Sequence, residues 1–542
     1  MLMKTSDLLV KCLENEGVNF IFGIPGEETL DLMDSISKSR MRFVLTRHEQ
    51  AAAFMADAYG RLSGKAGVCL STLGPGATNL LTGIADAFLD RAPLVAITGQ
   101  ADLKRIHKES HQYVDIVENF ETVTKWNTRI EVPDVVSEVV RKAFKVAETE
   151  KPGSVHLELP ENIACMEADE IHEKPIIPIR ARRSSPDNHS LKHAVELIEK
   201  SRSPMILAGN GVIRKNAASQ LQKFAEALGI PVVTTFMGKG AVTAKSKCYV
   251  GTLGLVRDRL IEEVFGKSDL VIAIGYDLVE YAPALWNPDL NKKIIHIDFT
   301  TSEVDLHYVP EVEINSDVKE TIEILNEMVS SRKTIGYLEA LHQELLETFE
   351  TEGKVNSWPV RPQRVLHAVR KVLGDDDILV SDVGTNKLWV GKFYPVYCNN
   401  TLLISNGYAS MGFALPSAIA AKLLHPFKKV AAVCGDGGFL INVHEVETAS
   451  RLGLNIVIII FRDDGYNLIK WKGMDKFGKA FGVDFSNPDF VKLANSFGVD
   501  GVRVQPTDSL EQILTWAFSR EKPVIIDVPI DYSSNELLTR LL

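Results

Sequence analysis

The stretch Val430-Ala431-Ala432-Val433-Cys434-Gly435-Asp436-Gly437-Gly438 decides the reading of this chain together with Ile456-Val457-Ile458-Ile459-Ile460-Phe461-Arg462-Asp463-Asp464-Gly465-Tyr466-Asn467. Each apolar run has the length of a buried strand. Between them Leu440, Val443, Val446 and Ala449 to Leu452 recur at helical spacing. This is a β-α-β unit. Its crossover is right-handed and its two strands are therefore parallel. Asp436 and Asp463 then reach the same carboxyl edge of the sheet, where open α/β sheets bind ligands. Two carboxylates with backbone carbonyls nearby suit a hard divalent cation such as Mg²⁺. The glycines let a phosphate approach backbone N–H groups at a helix start. Gly-Asp-Gly alone reads equally well as a tight turn. The second Asp, 27 positions later at the matching strand end, tips the reading toward a Mg²⁺–diphosphate site.

The same alternation of strands and helices runs along the rest of the chain. Val18–Gly23, Arg42–Leu45, Gly67–Ser71 and Leu94–Ile97 read as strands of a first series. Pro204–Ala208, Pro231–Val233, Leu270–Ile274 and Ile294–Ile297 form a second, which fades into a charged helical stretch near 318–350. Ile378–Val380, the two runs above and Val524–Val528 form a third. Two stretches that bury little, Glu173–Pro186 and Thr351–Pro362, separate them. The fold class expected is α/β, with three doubly wound parallel-sheet domains over residues 1–172, 187–350 and 360–542.

Composition narrows the function classes. The 542 residues carry 60 Lys and Arg against 71 Asp and Glu, a net charge of −11, which argues against a nucleic-acid surface. A hydrophobic content of 45% excludes a mainly disordered chain. No apolar run approaches the roughly 18 residues of a membrane span. Met1 to Glu16 reads as a charged amphipathic helix rather than a secretory signal. Six cysteines without a Cys-x-x-Cys pair indicate neither a zinc site nor a disulfide framework, so a reduced cytoplasm is the expected location.

Glu49 follows the strand Arg42–Leu45 and opens a helix whose apolar face includes Ala52, Met55 and Tyr59. A first-turn Glu is also what a helix dipole favours. Gly209-Asn210-Gly211 follows a strand as a dinucleotide turn would, but Arg214 stands where the third glycine belongs, so a tight strand-to-helix turn is the better reading.

Gly435-Asp436-Gly437 with a metal-binding residue 27 positions after the Asp resembles the thiamin diphosphate motif. Most of that family has Asn at the later position. The Asp463 found here is shared with the catabolic, FAD-independent acetolactate synthases. Phe22-Gly23-Ile24-Pro25-Gly26, Arg47-His48-Glu49-Gln50-Ala51-Ala52 and Leu73-Gly74-Pro75-Gly76-Ala77-Thr78-Asn79 are similar to that family's pyrimidine-binding domain. His111-Gln112, Ile274–Asp277 with Glu280-Tyr281 and Trp286-Asn287, Ser405-Asn406-Gly407, Met411-Gly412, Ala414-Leu415-Pro416 and Pro529–Tyr532 also resemble it, in the family's order over nearly the whole chain.

The resemblance implies thiamin diphosphate and Mg²⁺ as cofactors, with FAD not expected. It implies that Glu49 hydrogen-bonds the pyrimidine N1′ and that Met411 bends the cofactor. The Ala409 carbonyl and the Met411 N–H would hold the pyrimidine edge. Pro25, Gly26, Thr385, Asn386, Gly437, Gly438, Tyr466 and Asn467 would complete the cofactor contacts. Asp436, Asp463 and the Gly465 carbonyl would bind the metal, and Gln112 would meet the substrate. The implied reaction decarboxylates pyruvate and joins the hydroxyethyl intermediate to a second pyruvate, releasing 2-acetolactate and CO₂. The implied assembly is a homodimer or homotetramer with active sites at the subunit interface, without nucleic-acid or membrane partners. The alternatives are another thiamin diphosphate-dependent 2-oxoacid decarboxylase, a pyruvate oxidase, or a non-catalytic scaffold. Tyr408, Ala409, Trp471 and Lys472 depart from the residues common in catabolic relatives near the expected acceptor pocket.

Overall fold

The computed structural model describes residues 3–168, 174–179, 184–254, 258–333 and 335–538. Three six-stranded sheets carry the chain, and every strand pair within them is parallel. Numbered within each sheet in chain order, the first and third have the order 2-1-3-4-6-5 and the second 3-2-1-4-5-6. The three doubly wound α/β domains read from the sequence are therefore present. The second has the strand order of dinucleotide-binding folds.

In the third sheet Ile378–Ser381 and Val430–Gly435 lie side by side at the point where the strand order reverses, with Val457–Arg462 next to the latter. Its first strand is flanked by Leu402–Ile404, and Val524–Pro529 and Asp500–Arg503 close the far side. In the first sheet Phe20–Gly23 and Gly67–Ser71 meet at the equivalent point. Both faces of such sheets are covered by helices, which is why their strands read as continuous apolar runs rather than alternating ones. Val430 to Cys434 and Val457 to Phe461 are all buried.

Sequence periodicity missed Trp126–Arg129 and the buried seven-residue Ser154–Pro160 of the first sheet, and the short strands Tyr249–Thr252, Val312–Asn315, Leu402–Ile404 and Asp500–Arg503. It ran the expected helix after Asp436 as one piece, whereas there are two, Asp436–Ile441 and Glu445–Arg451, broken at 442–444. The N-terminal helix is Thr5–Glu16. The expected linker 173–186 lies partly outside the described residues. The second narrows to 353–361, because one helix runs to Glu352 and the next begins at Pro362.

By internal contacts the chain forms two compact units. One comprises 1–181 with 407–426 and 442–454, and the other 182–406 with 427–441 and 455–542. The first unit thus gathers two segments from the C-terminal third. Helix Ala414–Leu424 packs on helix Glu49–Ser63 there, with the Phe413 ring edge-on to Phe54 at 5.6 Å. Among the described residues no helix is long and apolar enough to cross a membrane.

Candidate active site

In the second unit, the strand Val430–Gly435 hands directly into the helix that starts at Asp436. Asp436 is 1% exposed, and its carboxylate is held from four sides. Oδ1 accepts from the Gly437 N–H at 2.8 Å. Oδ2 accepts from the N–H groups of Asp463 at 3.1 Å and Asp464 at 2.7 Å, and from the Asn487 amide at 2.8 Å. The turn after the neighbouring strand is thereby tied to Asp436, with Asp464 in the left-handed region at φ 58°. Burial pushes the Asp436 carboxyl up. Burial and then the Asp436 charge push Asp463 up to about 7. Two such carboxylates repel each other until a cation lies between them, so the pair fits a divalent metal. Among the described residues no group of three or more His, Cys, Asp or Glu could hold a metal by itself. The set fits Mg²⁺, which takes one or two carboxylates and completes its shell with phosphate and water oxygens.

Around this pair, the Asn467 Oδ1 accepts from the Thr385 hydroxyl at 3.1 Å and the Asn535 amide at 3.2 Å. Thr385 opens the helix Thr385–Phe393 at the same sheet edge. Gly437 faces the half-exposed Tyr466 ring, which an added Cβ would meet at 2.8 Å, so the wall is closed to any larger residue. Asn386 acts as a strut, its amide donating to the carbonyls of Asp382 at 2.8 Å and Val433 at 3.4 Å. Gly465 is buried and bridges Asp484. Trp471 packs against the hydrophobic core of this sheet, while Lys472 is exposed. Sequence reading missed Asn487, because Asn487-Pro488 signals only a turn.

The first unit holds the other residues. Glu49 is the first residue of its helix, 8% exposed, and its Oε2 accepts from the Asn79 amide at 3.0 Å. Asn79 lay inside a quoted motif, yet its partnership with Glu49 needs two helices brought together. Pro25 is exposed, and the Gly26 N–H donates to the Thr29 hydroxyl at 2.9 Å. The loop 72–76 joins two expected site residues. At Gly76 it runs beside the Glu49 carboxylate, and at Gly74 (φ 52°) it leaves no room for a Cβ against the Gln112 backbone. Gln112 is exposed and itself left-handed at φ 57°.

Ala409 and Met411 lie on a loop of the same unit, both half-buried, with Ala409 at φ 58°. Backbone in this region costs free energy for a residue with a Cβ and persists only where its surroundings hold it. Here the Gly407 N–H donates to Asp90 at 2.5 Å, the Ser410 N–H to Asp86 at 3.4 Å, and the Asn442 amide to the Gly412 carbonyl at 2.8 Å. Both Asp residues are fully buried.

A carboxylate at a helix start in the first unit, and in the second a buried Asp436 beside a half-buried Asp463 and glycines, fit a thiamine pyrophosphate enzyme. Family models agree. The N-terminal thiamine pyrophosphate-binding domain matches residues 3–119, the central domain 191–325 and the C-terminal thiamine pyrophosphate-binding domain 382–528. Within that class the chain belongs to the acetolactate synthase family. It is 33% identical to the acetolactate synthase of Bacillus subtilis, covering 98% of this chain and 94% of the relative. It is 34% identical to the catabolic acetolactate synthase of Raoultella terrigena, covering 98% and 96%. It is 35% identical to a probable acetolactate synthase large subunit of Methanocaldococcus jannaschii, covering 98% and 92%.

Proposed function

We propose that this chain condenses two pyruvate molecules to 2-acetolactate and CO₂, one proton being taken up, with thiamin diphosphate and Mg²⁺ as cofactors. The observation that carries this reading is the pairing of the buried Asp436 with the half-buried Asp463 in a chain that matches acetolactate synthases over 98% of its length. When bound, thiamin diphosphate supplies the electron sink for decarboxylation. Asp436, Asp463 and the Gly465 carbonyl hold the metal. Thr385, Gly437, Gly438, Tyr466 and Asn467 line the diphosphate, with Asn386 bracing the strand ends behind it. Glu49 keeps a carboxyl group on the pyrimidine N1′. Pro25 and Gly26 border the ring, and Ala409 and Met411 support it from a loop. Gln112, exposed beside Gly74, is placed to meet the substrate.

FAD has no role in this reading, and one feature of the central domain supports that. At its switch point the buried Glu280 carboxylate accepts from the Asn210 N–H at 3.0 Å and from the Thr235 hydroxyl. A carboxylate of the chain thus fills the helix start that a dinucleotide phosphate would use. Glu49 and the Asp436–Asp463 pair belong to different domains, which supports a homodimer or homotetramer with sites shared between subunits. The net charge of −11 supports an enzyme without nucleic-acid partners, and a cytoplasmic location is part of the same reading.

The test is product analysis with thiamin diphosphate, Mg²⁺ and pyruvate, and no flavin. Acetolactate as the main product is expected. Acetaldehyde would move the chain to the decarboxylases and implicate Tyr408, Ala409, Trp471 and Lys472.

A further inference from the structure

The strand Arg42–Leu45 stops pairing just before Glu49. The Thr46 N–H still donates to the Gly23 carbonyl at 3.0 Å, but the next two amides have no strand to meet. They are taken by one side chain 398 and 397 positions away. Glu445 Oε1 accepts from the N–H of Arg47 at 2.9 Å and of His48 at 3.1 Å. Glu445 is fully buried, and its Oε2 accepts from the Thr448 hydroxyl at 2.6 Å. Among the described residues the one cation-capable side chain within ion-pair distance is His444, at 3.6 Å. A buried carboxylate without a strong counter-charge is costly, and it persists where it makes charge-assisted bonds to N–H groups. The His48 imidazole then accepts from the Gln50 N–H at 3.1 Å, so the amides on both sides of Glu49 are fixed.

We infer that Glu445 is a positioning residue for Glu49: by clamping the Arg47 and His48 amides it sets where the Glu49 carboxyl group stands over the cofactor. The inference rests on the reading of Glu49 as the N1′ partner. A mutation at Glu445 leaves every cofactor and metal contact chemically intact but frees the turn that aims Glu49. Side chains that orient a functional group through such contacts typically matter by about 10–100-fold.

The experiment follows hydrogen–deuterium exchange at the thiazolium C2 of bound thiamin diphosphate in Glu445→Ala, Glu445→Gln and Glu49→Gln, beside KM for pyruvate and thermal midpoint. Glu445→Ala is expected to slow exchange by about 10–100-fold with KM changed less than about threefold. Glu445→Gln, which keeps one acceptor oxygen, is expected to recover most of the rate. Wild-type exchange in folded, cofactor-loaded Glu445→Ala would overturn the inference. So would a loss confined to thermal midpoint and cofactor affinity. If the Ala variant does not fold, Glu445→Asp, which withdraws the acceptor by one methylene, decides by the same exchange rate. Slow exchange in Glu49→Gln with normal exchange at Glu445 variants sinks the positioning role alone. Normal exchange in Glu49→Gln sinks the reading of Glu49 itself.

Discussion

The two acidic edges are built in opposite ways. Asp436 is held by groups close in sequence, the N–H groups of Gly437, Asp463 and Asp464 and an amide 51 residues on, all from one sheet edge and the loops leaving it. Glu49 is held by Asn79 from the neighbouring helix Pro75–Leu89 and by a turn whose amides are tied to Glu445. A local crossover brings its own ends together because the strands must pair. The turn before Glu49 has no such guarantee and takes its geometry from a helix nearly 400 positions further along the chain. The metal edge is therefore expected to be robust in shape and sensitive in charge, and the Glu49 edge to be sensitive in both.

Substitutions can break that contrast. The largest effect is expected from Glu49→Gln, which keeps volume and hydrogen bonding but loses the acid. Its kcat should fall by about 10²–10⁴-fold while a titration still shows thiamin diphosphate binding. Unchanged turnover would remove Glu49 from the chemistry. Next, Asp463→Ala should raise the Mg²⁺ concentration for half-maximal activity by more than the roughly 10–100-fold typical of losing an outer partner. A normal metal titration would strike it from the ligand set. Asn487→Ala removes only one of the bonds to Asp436 and should shift the same titration by about tenfold, with kcat at saturating metal little changed.

The smallest effect sharpens the comparison through pH. In the first sheet His156 is fully buried, with one ring nitrogen 2.8 Å from the Thr98 hydroxyl, and burial holds its pKa at about 3. An unfolded histidine titrates near 6.5. Between those values the unfolded chain binds the extra proton. The stabilising contribution of the neutral imidazole is thus present above about 6.5 and is lost as pH falls toward 3, by up to about 1.4 kcal/mol per pH unit. Urea unfolding of the wild type at pH 7 and pH 5 should show this loss, and His156→Leu should flatten the slope. An equal slope in the variant would place the acid sensitivity elsewhere.

The strand ends that carry Asp436 and Asp463 were legible in the sequence. Strands buried on both faces read as apolar runs, and a right-handed crossover fixes where their ends lie, so Asp436 and Asp463 could be paired from spacing alone. Glu49 could be singled out only through its resemblance to a family motif, since its local sequence equally suits a helix start. The short edge strands such as Leu402–Ile404 were missed because three residues carry too little periodicity. That the Asn386 amide reaches the carbonyls of Asp382 and Val433 was hidden, because an Asn after a strand reads the same whichever groups its amide meets.

By itself the sequence determined the three parallel-sheet domains, the carboxylate pair at the third sheet's edge and the family. Apolar period, chain direction and crossover hand are local rules that act wherever the residues occur. Only the tertiary structure decided that 407–426 and 442–454 join the N-terminal unit, that Asp86 and Asp90 hold the loop of Ala409 and Met411, and that Glu445 closes the turn before Glu49. Those bonds join residues hundreds of positions apart. A buried carboxylate announces its partner by the N–H it meets in space, and nothing in its neighbours along the chain encodes that meeting.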